Sequence, residues 1–142
     1  MPAPDAQHPG APRRLRTRAQ FQALLAHRPV SHTAHFALHR LPLRATAEDA
    51  EGPAALFGSA DGAWLGAMVP KRWARRAVTR NAIRRQIYAV GESLQPPLAV
   101  DAHLVRLRAG FGRQQFPSAS SVALKTAVRA ELLQLFAGKE RR

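Results

Sequence analysis

Ala63-Trp64-Leu65-Gly66-Ala67-Met68-Val69-Pro70 runs directly into Lys71-Arg72-Trp73-Ala74-Arg75-Arg76-Ala77-Val78-Thr79-Arg80-Asn81-Ala82-Ile83-Arg84-Arg85. Residues 63–69 are apolar and alternate, and proline stops them, which is how a buried strand reads. The fifteen residues that follow hold seven cations and no acid. From Ala77 onward, Ile83, Ile87, Val90 and Leu94 recur at i, i+4, i+7 and i+11, so the spacing predicts a helix seated on a core by a narrow apolar stripe. At about 100° per residue, Arg80, Asn81, Arg84 and Arg85 spread over the rest of the cylinder. A strand therefore delivers the chain into a helix whose free surface is almost entirely guanidinium.

Like charges packed this closely repel, and no glutamate stands at i±4 to offset them. Phosphate answers the pattern best, because arginine presents a planar five-donor fork that stays protonated and engages oxygens in pairs. The whole chain leans the same way: 22 Lys+Arg against 9 Asp+Glu in 142 residues, a net charge of +13. Such an imbalance points to nucleic acid or another anionic surface. Hydrophobic residues make up 46% of the sequence, enough for the core of one domain.

Outward from the basic helix, residues 1–12 carry four prolines and little to bury, which predicts a disordered tail ahead of a domain spanning 13–138. Thr17 is the expected N-cap of a first helix carrying Phe21, Leu24 and Leu25, closed before Pro29. Residues 30–41 turn to period two, with Phe36, Leu38 and Arg40 on one face and His35, Ala37, His39 and Leu41 on the other, and read as one strand. The acidic, proline-bearing and glycine-bearing segment 44–60 reads as an exposed excursion, with a short strand at 54–57 on its far side. Residues 98–107 form the last strand, placing Val105 and Leu107 opposite Leu104 and Arg106. A final helix, capped by Ser118, Ser120 or Ser121, repeats Leu124, Val128, Leu132 and Leu135 and ends at Gly138, leaving 139–142 as a basic tail. The economical arrangement is an antiparallel-leaning sheet with helices mainly on one face, the other left free for a ligand.

No catalytic constellation assembles. The carboxylates Asp61, Glu92, Asp101 and Glu131 are scattered singly, Glu48, Asp49 and Glu51 crowd one loop, and there is no phosphate-binding glycine loop and no H-E-x-x-H. Cysteine is absent, which removes thiolate chemistry and disulfides. His32, His35 and His39 are spaced along a strand too widely to hold one ion together, so no metal site is expected. There is neither a signal-peptide core nor an eighteen-residue apolar run, so the expectation is a soluble, cytoplasmic protein with no membrane partner. RNA, read through phosphate and 2′-OH, suits a nearly pure arginine helix better than base readout in a DNA groove.

At this point three segments resemble one family. Leu15-Arg16-Thr17-Arg18-Ala19-Gln20-Phe21 is similar to its R-L-x-x-x-x-x-F opening, followed by His35-Phe36-Ala37-Leu38 in its first strand. Lys71-Arg72 through Arg80-Asn81-Ala82-Ile83-Arg84-Arg85 resembles its K-K…R-N-x-I-K-R signature, and Asp101-Ala102-His103-Leu104-Val105-Arg106-Leu107-Arg108 its D-(Y/H)-V-V-I-x-A-R strand. The family is the protein subunit of bacterial ribonuclease P. The resemblance implies an α+β fold of order αβββαβα, a two-layer sandwich like the second domain of ribosomal protein S5, with a left-handed crossover carrying the arginine-rich helix. It implies an accessory subunit of a ribonucleoprotein endonuclease that binds the catalytic RNA and the 5′ leader of precursor tRNA. The RNA performs the hydrolysis with its own Mg²⁺, so the protein would need no catalytic residue, no cofactor and no obligate protein partner.

Transferred by position, Lys71, Arg72, Arg76, Arg80, Asn81, Arg84 and Arg85 would contact the catalytic RNA. Phe21, Phe36 and His39 would face the central cleft that holds the leader. Ala82 and Tyr88 stand where the family often has basic residues, and Leu25 and His39 where it often has cleft aromatics. A structural ribosomal protein or a general RNA chaperone would need the same charge but no such cleft.

Overall fold

The computed structural model describes residues 11–43, 56–57, 62–112 and 122–138. In chain order it contains β1 (Arg13–Arg14), α1 (Arg18–Leu25), β2 (Ser31–His32), β3 (Phe36–Pro42), β4 (Trp64–Met68), α2 (Ala77–Ser93), β5 (Asp101–Leu107) and α3 (Val122–Gly138). This is the expected αβββαβα order with a two-residue strand added in front. One five-stranded sheet runs β1-β4-β5-β3-β2. Two of its four pairings, β1 with β4 and β4 with β5, are parallel, so the sheet is mixed rather than antiparallel-leaning.

Local chemistry accounts for the helix starts. Thr17 Oγ1 accepts from Gln20 N at 3.1 Å while Gln20 Oε1 accepts from Thr17 N at 3.1 Å, a reciprocal capping box that satisfies two orphan donors. By contrast α2 begins after Arg76 with no side-chain cap and no acid in its first turn. Its apolar stripe is wider than the sequence spacing shows: Ala82, Tyr88 and Gly91 are buried beside Ile83, Ile87 and Val90.

Alternation divides the sheet into two unlike faces. Phe36 and Leu38 of β3, Leu65 and Ala67 of β4 and Val105 and Leu107 of β5 pack under α2 and α3, against Ile83, Ile87, Val90, Leu124, Val128, Leu132 and Leu135. The opposite face carries Leu41, Ala102, Leu104 and Trp64, which meet Leu24 of α1 together with Leu15, Leu43 and Phe57. Helices thus lie on both faces, and α1 covers part of the side expected to be bare.

Three strand readings change, the smallest being that the last strand, read over 98–107, begins at Asp101. Residues 30–41 are a hairpin, not one strand, because the chain reverses at 33–35 between β2 and β3. The reversal is held from outside: Glu131 of α3 accepts from Thr33 Oγ1 at 2.5 Å and His35 N at 2.7 Å, and its other oxygen lies 2.8 Å from His35 Nδ1. Arg108 Nη1 donates to Thr33 O at 2.6 Å, and Phe111 stacks on His35 at 4.0 Å. Of segment 44–60 only Leu56 and Phe57 are described, and they form a 3₁₀ turn rather than a strand. Phe57 is 2% exposed and meets the Trp64 ring edge-on, so the excursion sends this residue into the core while Leu56 stays exposed. Residues 1–10, the serines expected to cap α3, and 139–142 lie outside the described residues.

Candidate nucleic-acid interface

Along α2 and the turn before it, Lys71, Arg72, Arg75, Arg76, Asn81 and Arg85 are exposed, with Arg80 and Arg84 partly so. Neither of the two ion pairs among the described residues, His35 with Glu131 and Arg40 with Asp101, involves a cation of this surface. Arg84 Nη1 donates to Asn81 Oδ1 at 3.0 Å, which aims the guanidinium and leaves the Asn81 amino group to donate outward. Arg80 differs from its neighbours. Its Nη1 donates to the carbonyls of Ala74 and Arg75 at 3.0 and 2.8 Å, so it ties the preceding turn to the helix as well as adding charge. At the uncapped start of α2, backbone N–H groups and the positive end of the helix dipole add to the attraction for an anion.

Tyr88, where a basic residue was expected on the helix, carries one from elsewhere. The guanidinium of Arg14 on β1 lies 4.0 Å from its ring centroid, so the basic surface continues from α2 onto the edge of the sheet.

The second candidate surface is the sheet face beside α1. Phe21 of α1 is half-buried there against the Leu24 and Leu104 cluster. Phe36 is not in this cleft: its side chain is 0% exposed and belongs to the core beneath α2 and α3. Period-two alternation sets it on the same face as Leu38, and position within a motif does not override the pleat.

His39 does lie on the α1 face but is 3% exposed, so its ring has no open surface for a base. Its Nδ1 sits 2.8 Å from His27 O, and since a carbonyl can only accept, Nδ1 carries the proton. Nε2 then accepts from Arg106 Nε at 3.3 Å. Burial holds the His39 pKa below its ordinary value of 6.5, with the Arg106 and His27 charges acting the same way and the His27 backbone bond opposing them. A neutral imidazole therefore props a partly exposed guanidinium on the α1 face of the sheet, where Arg106 pairs in register with Ala37 and Met68.

Arg106 is the candidate site residue that the sequence reading missed. The signal was available: an arginine alternating onto the same face as Leu104 in a central strand has to be supported from below. The neighbouring motif residues Asp101 and Arg108 prove to be fold residues. Asp101 accepts from Arg40 Nε at 2.7 Å and Leu43 N at 3.2 Å, and Arg108 holds the 33–35 reversal. Among the described residues, no three histidines or carboxylates come together to hold a metal ion, and no helix is long and apolar enough to cross a membrane.

Residues 10–131 match the family model described as Ribonuclease P. A ribonuclease P protein component from Ralstonia pickettii (strain 12J) is 37% identical over 123 residues, covering 87% of this chain and 76% of the relative. Another, from Burkholderia pseudomallei (strain 1106a), is 32% identical over 131 residues, covering 92% and 84%. Among solved structures, Staphylococcus aureus RNase P protein superposes with a TM-score of 0.56 over 87% of this chain and 92% of that one, at 19% identity, a likeness of fold.

Proposed function

The chain belongs to the ribonuclease P protein family, and from that premise we propose that it binds the catalytic RNA of a cytoplasmic ribonucleoprotein through α2 and seats the 5′ leader of precursor tRNA beside α1. In this role the protein assists endonucleolytic removal of the leader, while the RNA and its Mg²⁺ break the bond. The observation that carries the reading is the surface of Lys71, Arg72, Arg76, Arg80, Asn81, Arg84 and Arg85, which meets no acid among the described residues. A ribose-phosphate chain would supply the missing counter-charge.

Phe21 supplies the aromatic surface of the cleft, and Arg106, oriented by His39, a cation for the leader's phosphates. Charge attracts the strand, and the half-buried ring gives its bases something to stack on. Reconstitution tests the whole reading: at low Mg²⁺, adding the protein to the catalytic RNA should restore cleavage of precursor tRNA at the mature 5′ end. If about six phosphates are neutralised, log affinity for that RNA should fall with log salt at a slope of roughly −4 to −5. A complex indifferent to salt, or a mixture that stays inactive, would rule it out.

A further inference from the structure

Trp73 is 37% exposed, although indole is the side chain a folded protein gains most by covering. Its backbone is held from three directions. Trp73 N and Ala74 N both donate to Pro70 O, at 3.1 and 3.2 Å, and Ala74 is buried in the main core. The Arg80 guanidinium grips the carbonyls of Ala74 and Arg75 from α2. Gly110 closes in from the far side of β5, where a Cβ would stand 2.8 Å from Trp73 O. The ring is therefore presented by a fixed turn.

Cations surround it. Lys71, Arg72, Arg75 and Arg76 are exposed, and the Arg72 guanidinium lies 5.2 Å from the ring centroid. A partly exposed indole with a guanidinium over its ring, set among further cations, is the pairing that single-stranded nucleic-acid sites use, one part taking the base and the other its backbone. We propose that Trp73 is a stacking platform for an unpaired nucleobase of the RNA bound along α2, which rests on the functional reading above. A lipid surface fits less well, because Val78 is the one large apolar residue of α2 left exposed, while Ile83, Ile87, Tyr88 and Val90 are turned into the core and leave the indole among charges.

The test uses the full chain and the catalytic RNA. In a Trp64→Phe background Trp73 is the sole indole, and RNA should quench its fluorescence. In the otherwise native chain, Trp73→Leu should weaken RNA binding roughly tenfold with the salt slope unchanged, while Trp73→Phe stays within about threefold, because a phenyl ring still stacks. Arg72→Ala should instead lower the slope by about one. Native binding by Trp73→Leu, or unquenched emission at saturating RNA, would overturn the proposal while leaving the wider function standing. A blue shift with phosphatidylserine vesicles but no response to RNA would overturn it in favour of a membrane contact. Loss of RNA binding by the native chain itself would remove the reading beneath it.

Discussion

The two faces of the sheet have been given opposite tasks. Beneath α2 and α3 the pleat is dry: Phe36, Leu38, Leu65, Val105 and Leu107 are all 0% exposed against the leucine, isoleucine and valine side chains of the two helices. Beside α1 the same strands carry His39, Arg106, Gly66 and Met68, and an eight-residue helix covers only part of them. Burial free energy scales with the apolar area removed from water, so the α2/α3 face dominates stability, while the α1 face keeps polar groups and the partly exposed Arg106, Met68 and Phe21, where the leader is proposed to enter. Period-two alternation lets one segment serve both, since each residue's neighbours in sequence belong to the other task.

The largest test of that division sets two phenylalanines against each other. Phe36→Ala should lower unfolding free energy by about 3–5 kcal/mol in urea denaturation. Phe21→Ala should cost far less stability and weaken affinity for leader-bearing precursor tRNA roughly tenfold. If the two exchanged phenotypes, the faces would have been assigned the wrong way round. Glu131→Ala removes the acceptor of Thr33 Oγ1 and His35 N and should cost about 1–3 kcal/mol, with affinity for the catalytic RNA unchanged.

A smaller effect comes from the α1 face through pH. The folded His39 pKa lies below 6.5, so near that pH the unfolded chain binds the proton more readily. Stability from this group is complete above 6.5 and is lost as pH falls from there through the folded value, at no more than about 1.4 kcal/mol per pH unit. His39→Phe should flatten that part of a urea-derived stability profile and, by releasing Arg106, weaken leader binding. A profile rising toward acid would contradict the neutral, proton-accepting Nε2. Smallest in stability is Arg85→Ala on the exposed side of α2, expected within about 0.5 kcal/mol of the parent, yet lowering the salt slope of RNA binding by about one.

Helices and faces were legible because they follow from repeats. The Thr17 cap, the start of α2 at Ala77, the Leu124 to Leu135 repeat of α3 and the division of β3 into two faces all stand as read. What escaped has tertiary causes. The 33–35 reversal lacks glycine, proline and asparagine, because Glu131, Arg108 and Phe111 hold it in place of turn chemistry. Strand β1 is two exposed arginines that alone look like tail, and parallel pairing with β4, with Arg13 N donating to Ala63 O and Leu15 N to Leu65 O, makes it a strand.

The exposure of the α2 cations was legible from their density and from the apolar stripe opposite them, whereas beside α1 a transfer by motif position placed Phe36 on the wrong side of the pleat. The expectation that His39 faces an open cleft met a related obstacle: burial of a ring depends on what covers it, which here includes the chain near His27. That Arg14 would stand over Tyr88, or Leu56 O over Gln20 Nε2, cannot be read from any local pattern.

Both margins of the sheet are only two residues long, Arg13–Arg14 at one side and Ser31–His32 at the other. An unpaired strand edge invites another chain to add to it, and brevity together with charge discourages that. A polypeptide made before it meets its RNA has to stay dispersed meanwhile, and the β1 arginines close off β4 to self-association.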